Sequence, residues 1–225
     1  MDLTLLYYTA NTAYPPMTEN VRKHLLSIKG NLPIISVSQK PLDFGKNICV
    51  GEIGKSYYNC YKQIYIGAQE VKTPYVALCE DDTLYSKEHF SHRPSRKDIF
   101  SFNDNMWYTE ETGYWNKYDH GMCTCIVATE LLILTLAPRF IKYPYESMVS
   151  ERMQRYFQEP GRNDTKFDIP NAKIETFKTT IPILTFNFFA GLGGKKISKA
   201  HVPIIKQELE PWGNAYKLKK KYWGR

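Results

Sequence analysis

Residues 73–86 read TPYVALCEDDTLYS, and the fold turns on how this stretch is read. Residues 75–79 form a short apolar run of the kind that makes a buried strand, and the run ends in three consecutive carboxylates, Glu80, Asp81 and Asp82. Adjacent carboxylates repel one another, so the cluster is unfavourable unless solvent or a cation takes up the charge. A solvated acidic turn and a divalent-metal site both answer to that description.

The residues upstream set the context. Residues 3–9 are a β-rich apolar run, and residues 18–28 place Val21, Leu25 and Ile28 at helical spacing before Gly30 stops the helix. PIISVS (33–38) reads as a second strand, residues 40–56 as a polar loop, and residues 57–71 as a helix carrying Tyr57, Tyr61, Ile64, Ala68 and Val71. Strand, helix, strand, helix, strand predicts an α/β fold with parallel strands, right-handed crossovers and helices on both faces. Ligands of such sheets bind beyond the carboxyl ends of the strands, where Glu80, Asp81 and Asp82 fall.

Downstream the alternation breaks. Short strands are expected at 98–103, 107–109 and 122–128, helices at 129–137 and 146–157, a loop at EPGRND, and a late strand at 182–187 before GLGGKK. The chain of 225 residues shows no internal repeat and no linker, which predicts one domain.

Five cysteines, an odd count without paired C-x-x-C spacing, form no disulfide framework and fit a reducing, cytoplasmic setting. MDLTLLYYT has no basic region before its apolar residues, so no signal peptide is expected, and nowhere do ~18 apolar residues follow one another as a membrane span requires. Peripheral contact with a membrane surface stays open. A net charge of +7 suits anionic partners and equally serves solubility.

With these residues laid out, LTLLYYTAN, KQIYIGAQEVKTPYVAL and the EDD that follows resemble the nucleotide-sugar-binding half of GT-A glycosyltransferases, the family-2-like group in particular. More loosely, the chain is similar to small glycosyltransferases of bacteriophage and bacteria. The likeness spans about residues 1–130, leaving 131–225 as an acceptor half with a basic, aromatic tail. It implies a GT-A-like, Rossmann-type mixed sheet and metal-dependent transfer of a hexose from a nucleotide-sugar, a UDP-sugar first of all. Mn²⁺ or Mg²⁺ would be held by Asp82, with Asp81 beside it and Glu80 facing the metal or the ribose. The first position of this D-x-D-like motif is Glu rather than Asp, which bears on the ribose contact. The resemblance further implies that Thr9, Ala10 and Asn11 approach the base, that Asp43 meets base or ribose, and that Lys62 and Gln63 reach the nucleotide.

Other residues carry chemistry by type. In GLGGKK, Gly193, Gly194, Lys195 and Lys196 can form a backbone and ammonium cradle for a diphosphate, though without Walker A spacing, or else a basic turn. His201 is a candidate distal metal ligand or an ordinary surface histidine. A base for the acceptor hydroxyl is sought among Asp119, Glu151 and Glu159, with Glu159 favoured by its loop position. The tail WGNAYKLKKKYWGR interleaves Lys217, Lys219, Lys220 and Lys221 with aromatic residues that can stack on bases, settle at a bilayer or pack on the core. A nucleic-acid acceptor such as a modified base in phage DNA is the leading expectation, with a surface glycan or lipid next. A non-enzymatic nucleic-acid-binding module, a nucleotidyltransferase and a two-metal nuclease are the competing classes.

Overall fold

In the computed structural model the alternation read from the first 80 residues holds: β1 (Leu3–Thr9), α1 (Pro15–Ile28), β2 (Ile34–Ser38), β3 (Lys46–Cys49), α2 (Tyr57–Glu70) and β4 (Tyr75–Glu80). The structure describes residues 1–109, 114–118, 120–154, 156–157, 160–186 and 204–224. Helix α1 begins earlier than its apolar spacing suggested, because Pro15 and Pro16 suit a first turn whose N–H groups have no helical partner. Ser56 caps α2, accepting the Asn59 N–H at 3.0 Å. The stretch expected to be a polar loop contains β3, which pairs in parallel with β2 at the sheet edge. No residue of this short edge strand is fully buried, so KNIC lacks an apolar alternation.

Next come β5 (Thr83–Leu84), β6 (Ile99–Asn103), β7 (Met106–Thr109), β8 (Trp115–Tyr118), β9 (Cys125–Ala128) and α3 (Thr129–Lys142). The chain then makes a single helical turn, α4 (Glu151–Gln154), followed by β10 (Lys173–Phe177), β11 (Ile183–Phe186), β12 (Ile205–Lys206), β13 (Glu208–Leu209), β14 (Gly213–Asn214) and α5 (Ala215–Trp223). The central sheet has seven strands in the order β10-β6-β9-β4-β1-β2-β3. Strand β1 is parallel to β2 and β4, whereas β9 runs antiparallel between β4 and β6, which makes the sheet mixed. A second sheet, β12-β8-β7-β11-β5, stands beside the carboxyl end of β4.

Strand alternation divides the apolar side chains between two faces. Leu6, Tyr8, Val37, Val76 and Leu78 pack with α2 and α3, whereas Leu3, Leu5, Tyr7, Ala77 and Cys79 pack with Leu25 of α1. Helix α2 lies so close to the sheet that a Cβ on Gly67 would come within 2.3 Å of Leu6 and 2.7 Å of Val37. Helix α3 continues past the expected 129–137 through Pro138, which leaves the Leu134 carbonyl without its helical donor on the outer side. The single helix expected over 146–157 is instead a 3-10 turn, Glu146–Met148, and α4. Ser150 separates the two, its hydroxyl accepting the Met153 N–H at 3.3 Å.

Buried Arg139 of α3 reaches Asp164 at 2.6 Å, and Asp164 also accepts the N–H groups of Gly161 (2.6 Å) and Ala172 (2.8 Å). The tail is a core element: Ala215 and Tyr222 of α5 are buried, Tyr222 lies 5.2 Å from the Phe186 ring and Trp223 lies 5.7 Å from Tyr14. Asn20 of α1 donates to the Tyr222 carbonyl at 2.9 Å, and Trp212 donates to Pro182 O at 2.9 Å. Of the three roles open to the tail aromatics, packing on the core describes Tyr222, Trp223 and Trp212.

Candidate functional site

The register of β1 and β4 builds the site. Tyr8 stands opposite Glu80 on neighbouring parallel strands, so the two strands end together and the residues that follow share one crevice. Tyr8 Oη donates to Glu80 Oε1 at 2.7 Å, and one residue on, Thr9 Oγ1 donates to Asp81 Oδ2. Thr83 Oγ1 donates to Asp82 Oδ1 at 3.0 Å, while the Asp82 carbonyl accepts Phe186 N at 2.8 Å and ties the turn to β11. All three carboxylates are half-buried.

Their charges are poorly compensated. Burial pushes the Asp82 carboxyl well above the usual carboxylate range, and the neighbouring Glu80 and Asp81 push it further. Burial also raises Asp81, but the Thr9 hydroxyl and the Arg22 guanidinium counter it. Burial and Glu80 together raise the Tyr8 phenol, so Tyr8 stays a neutral donor. Partial desolvation lowers the Lys55 ammonium, while Asp81 and Asp82 pull it back up. Among the described residues no three His, Cys, Asp or Glu side chains converge as a ready-made metal cage. A Mg²⁺-like ion needs no such cage when one or two carboxylates share it with substrate phosphates. Asp82 suits that role: its hydrogen-bonding hydroxyl is the adjacent Thr83, and a cation there relieves the repulsion it suffers.

The walls are held by side-chain amides. Gln63, buried on α2, donates to the carbonyls of Thr9 (2.9 Å) and Val37 (3.1 Å), fixing the ends of β1 and β2. Asn11, with φ of 55°, turns its Oδ1 to accept the N–H groups of Gln39 (2.8 Å) and Lys40 (3.0 Å). Gln39 in turn clasps Gly54, donating to its carbonyl at 2.7 Å and accepting its N–H at 3.1 Å, which anchors the loop that carries Lys55.

Of the residues singled out in the sequence, Thr9, Asn11, Gln63, Glu80, Asp81 and Asp82 gather around the crevice, with Ala10 between two of them. Gln63 spends its amide on strand-end carbonyls, and Lys62 lies over the Tyr58 ring at 5.6 Å. Asp43 is exposed on the loop before β3, and Glu151 is exposed on α4. Asp119, Glu159, Gly193, Gly194, Lys195, Lys196 and His201 lie outside the described residues. Tyr8, Arg22, Gln39 and Lys55 escaped sequence reading. Tyr8 was accessible in principle, because aligning the ends of two parallel strands sets it beside Glu80.

No protein-family model matches the chain, and no curated protein matches its sequence. Among solved structures, residues 1–349 of TarS from S. aureus in complex with UDP-GlcNAc superpose with a TM-score of 0.50 at 12% identity, covering 88% of this chain and 62% of that one. A glycosyltransferase involved in glycosylation of the major capsid of PBCV-1 gives 0.48 at 10%, covering 82% and 92%. The bifunctional IspDF from Campylobacter jejuni gives 0.45 at 12%, covering 80% and 50%. The chain thus spans about half of the IspDF chain and about three-fifths of the TarS one. The fold is of the GT-A type, a mixed α/β sheet with helices on both faces.

Proposed function

We propose that this protein is a glycosyltransferase that takes a sugar from a nucleotide-sugar, the donor diphosphate lying in the crevice beyond β1 and β4. The observation that carries the proposal is Asp82, a half-buried carboxylate pushed up by burial and then by its neighbours Glu80 and Asp81, just past the carboxyl end of a central strand in this fold. A divalent cation bound there, Mn²⁺ or Mg²⁺, supplies neutralisation of the charge that grows on the leaving diphosphate. Asp82 would hold it. Tyr8 and Thr9 orient Glu80 and Asp81, so that neither carboxylate has to be drawn into place when donor arrives. Lys55 and Arg22 add positive charge near the same carboxylates and would face the phosphates.

The TarS structure is a complex with UDP-GlcNAc, which makes UDP-sugars the first donors to try. For the acceptor, nucleic acid remains our reading on charge, with Lys217, Lys220 and Lys221 exposed on α5. The base that deprotonates the acceptor hydroxyl is sought among Asp119, Glu151 and Glu159.

The test is hydrolysis of a panel of nucleotide-sugars with and without Mn²⁺, repeated with Asp82→Asn. At least one donor should be hydrolysed in a Mn²⁺-dependent way, and the variant should lose about 100-fold or more, as when a group stabilising transition-state charge is removed. A wild-type protein that neither binds nor hydrolyses any nucleotide-sugar ends the proposal. Equal activity in Asp82→Asn removes the metal assignment alone.

A further inference from the structure

Helix α3 is apolar on the side where a surface helix should be polar. Its core face is formed by Leu132, Thr135, Leu136 and Arg139, so helical periodicity turns Glu130, Leu134, Ala137, Pro138 and Ile141 away from the sheet. Leu134 is 62% exposed and Ile141 78%, and in the chain just beyond the helix Tyr145 and Met148 are exposed as well, at 68% and 52%. Single exposed apolar residues are ordinary, but four large ones along one helix and its exit turn mark an interaction surface.

The charges say what covers it. In a chain of net charge +7, the charged residues of this helix are Glu130 in the first turn, Lys142 in the last and buried Arg139. A surface shaped for a polyanion would gather cations here, whereas the exposed charged residues of this helix are Glu130 and Lys142, of opposite sign and at opposite ends. That pattern is self-complementary. We infer that α3 pairs antiparallel with α3 of a second copy of this chain across a two-fold axis. The small residues Ala137 and Pro138 then lie at the axis and let the helices approach. Leu134 of each copy meets Ile141 of the other, and Glu130 comes within a turn of the second copy's Lys142. Lys142 already donates to Asp168 at 2.6 Å, and an ammonium has further protons to share. Antiparallel helix dipoles favour the same arrangement. A two-fold interface of this kind uses one patch twice, so each substitution in it counts twice.

Sedimentation velocity on the full chain from about 1 to 100 µM tests this, a range that brackets the affinity of a small interface. The wild type should become dimeric within it, and Leu134→Glu and Ile141→Glu should each stay monomeric with an unchanged melting temperature, because both side chains are in solvent in the monomer. Ala137→Cys in a Cys49→Ser background should form a disulfide-linked dimer on oxidation, while Cys49→Ser alone should not. A wild type that is monomeric throughout, or a dimer that survives both glutamates, overturns the inference. So does a monomeric wild type that floats with phosphatidylglycerol vesicles and loses that binding in Ile141→Glu, which would assign the face to a bilayer.

Discussion

Asp164 and Asp82 are both carboxylates withdrawn from solvent in a positively charged chain, and their surroundings are opposite. Asp164 is completely buried and receives Arg139 and two backbone N–H groups, so its lone pairs are spent on the fold. Asp82 has a neighbouring hydroxyl for comfort and two carboxylates for company. A saturated buried carboxylate joins segments of the chain, here α3 to residues 161–172. A starved one keeps coordination capacity in reserve, and its cost to stability is repaid only when a ligand arrives.

The largest effect expected from this contrast is on Asp164. Asp164→Ala takes away the carboxylate that buried Arg139 reaches at 2.6 Å and the acceptor of the Gly161 and Ala172 N–H groups, so thermal or urea unfolding should show a loss of about 3–5 kcal/mol, while donor hydrolysis per folded molecule is kept. A loss of activity without loss of stability would break the comparison.

His89 extends the contrast to a base. It is fully buried, its Nε2 has no partner among the described residues, and burial lowers its pKa to about 3. Its unfolded pKa is near 6.5, so below that value the unfolded chain binds the extra proton. Stability should therefore fall as pH drops from about 6.5 towards 3, by roughly 1.4 kcal/mol per unit once well below 6.5. Urea midpoints at pH 7, 6, 5 and 4 read this slope, which His89→Gln should flatten.

Asp82 has the reverse sign. Its folded pKa is raised, so the native state holds a proton that the unfolded state has lost, and the penalty of its charge fades as pH falls through the raised value. Without divalent ions, Asp82→Asn should be more stable than wild type at pH 7, with the difference shrinking on acidification. Identical stability at every pH would mean that Asp82 is no more strained than an ordinary surface carboxylate.

The smallest stability change belongs to α5, where Lys217, Lys220 and Lys221 are exposed. Reversing Lys217, Lys220 and Lys221 to Glu should change stability by about 0.5 kcal/mol or less per site, yet weaken polyanion binding and flatten its salt dependence. Deleting residues 215–225 is no substitute, since it removes buried Ala215 and Tyr222. Unchanged DNA affinity after charge reversal would take nucleic acid off the list of acceptors that the tail supports.

What the sequence told and what it hid divide along physical lines. Strands β1, β2 and β4 and helix α2 were legible because two-sided burial in a parallel sheet writes apolar runs and helical spacing. The acidic crevice followed from them, since the end of an apolar run is local information. Strand β3 was invisible because an edge strand needs little apolar surface, and the break at Ser150 because a side-chain cap competed with an apolar period. Gln39, Lys55 and Arg22 were missed for another reason: they reach the crevice through loop closure and helix packing, which leave no spacing in the sequence.

The clasp between α1 and α5 has a consequence for how the molecule is made. Asn20 and Tyr222 are 202 residues apart, and Met17 and Val21 share an apolar cluster with Ala215 and Tyr222. At about 5–20 residues per second, a ribosome takes roughly 10–40 s to synthesise the second partner after the first. Throughout that interval the apolar side of α1 that awaits α5 is open to chaperones. The central parallel strands have all emerged by residue 80, so they are free to pair long before the covering helix exists. Closure over α1 is thus a late step, and the nascent chain passes through a stage in which the acidic crevice is assembled while its neighbouring helix is still uncovered.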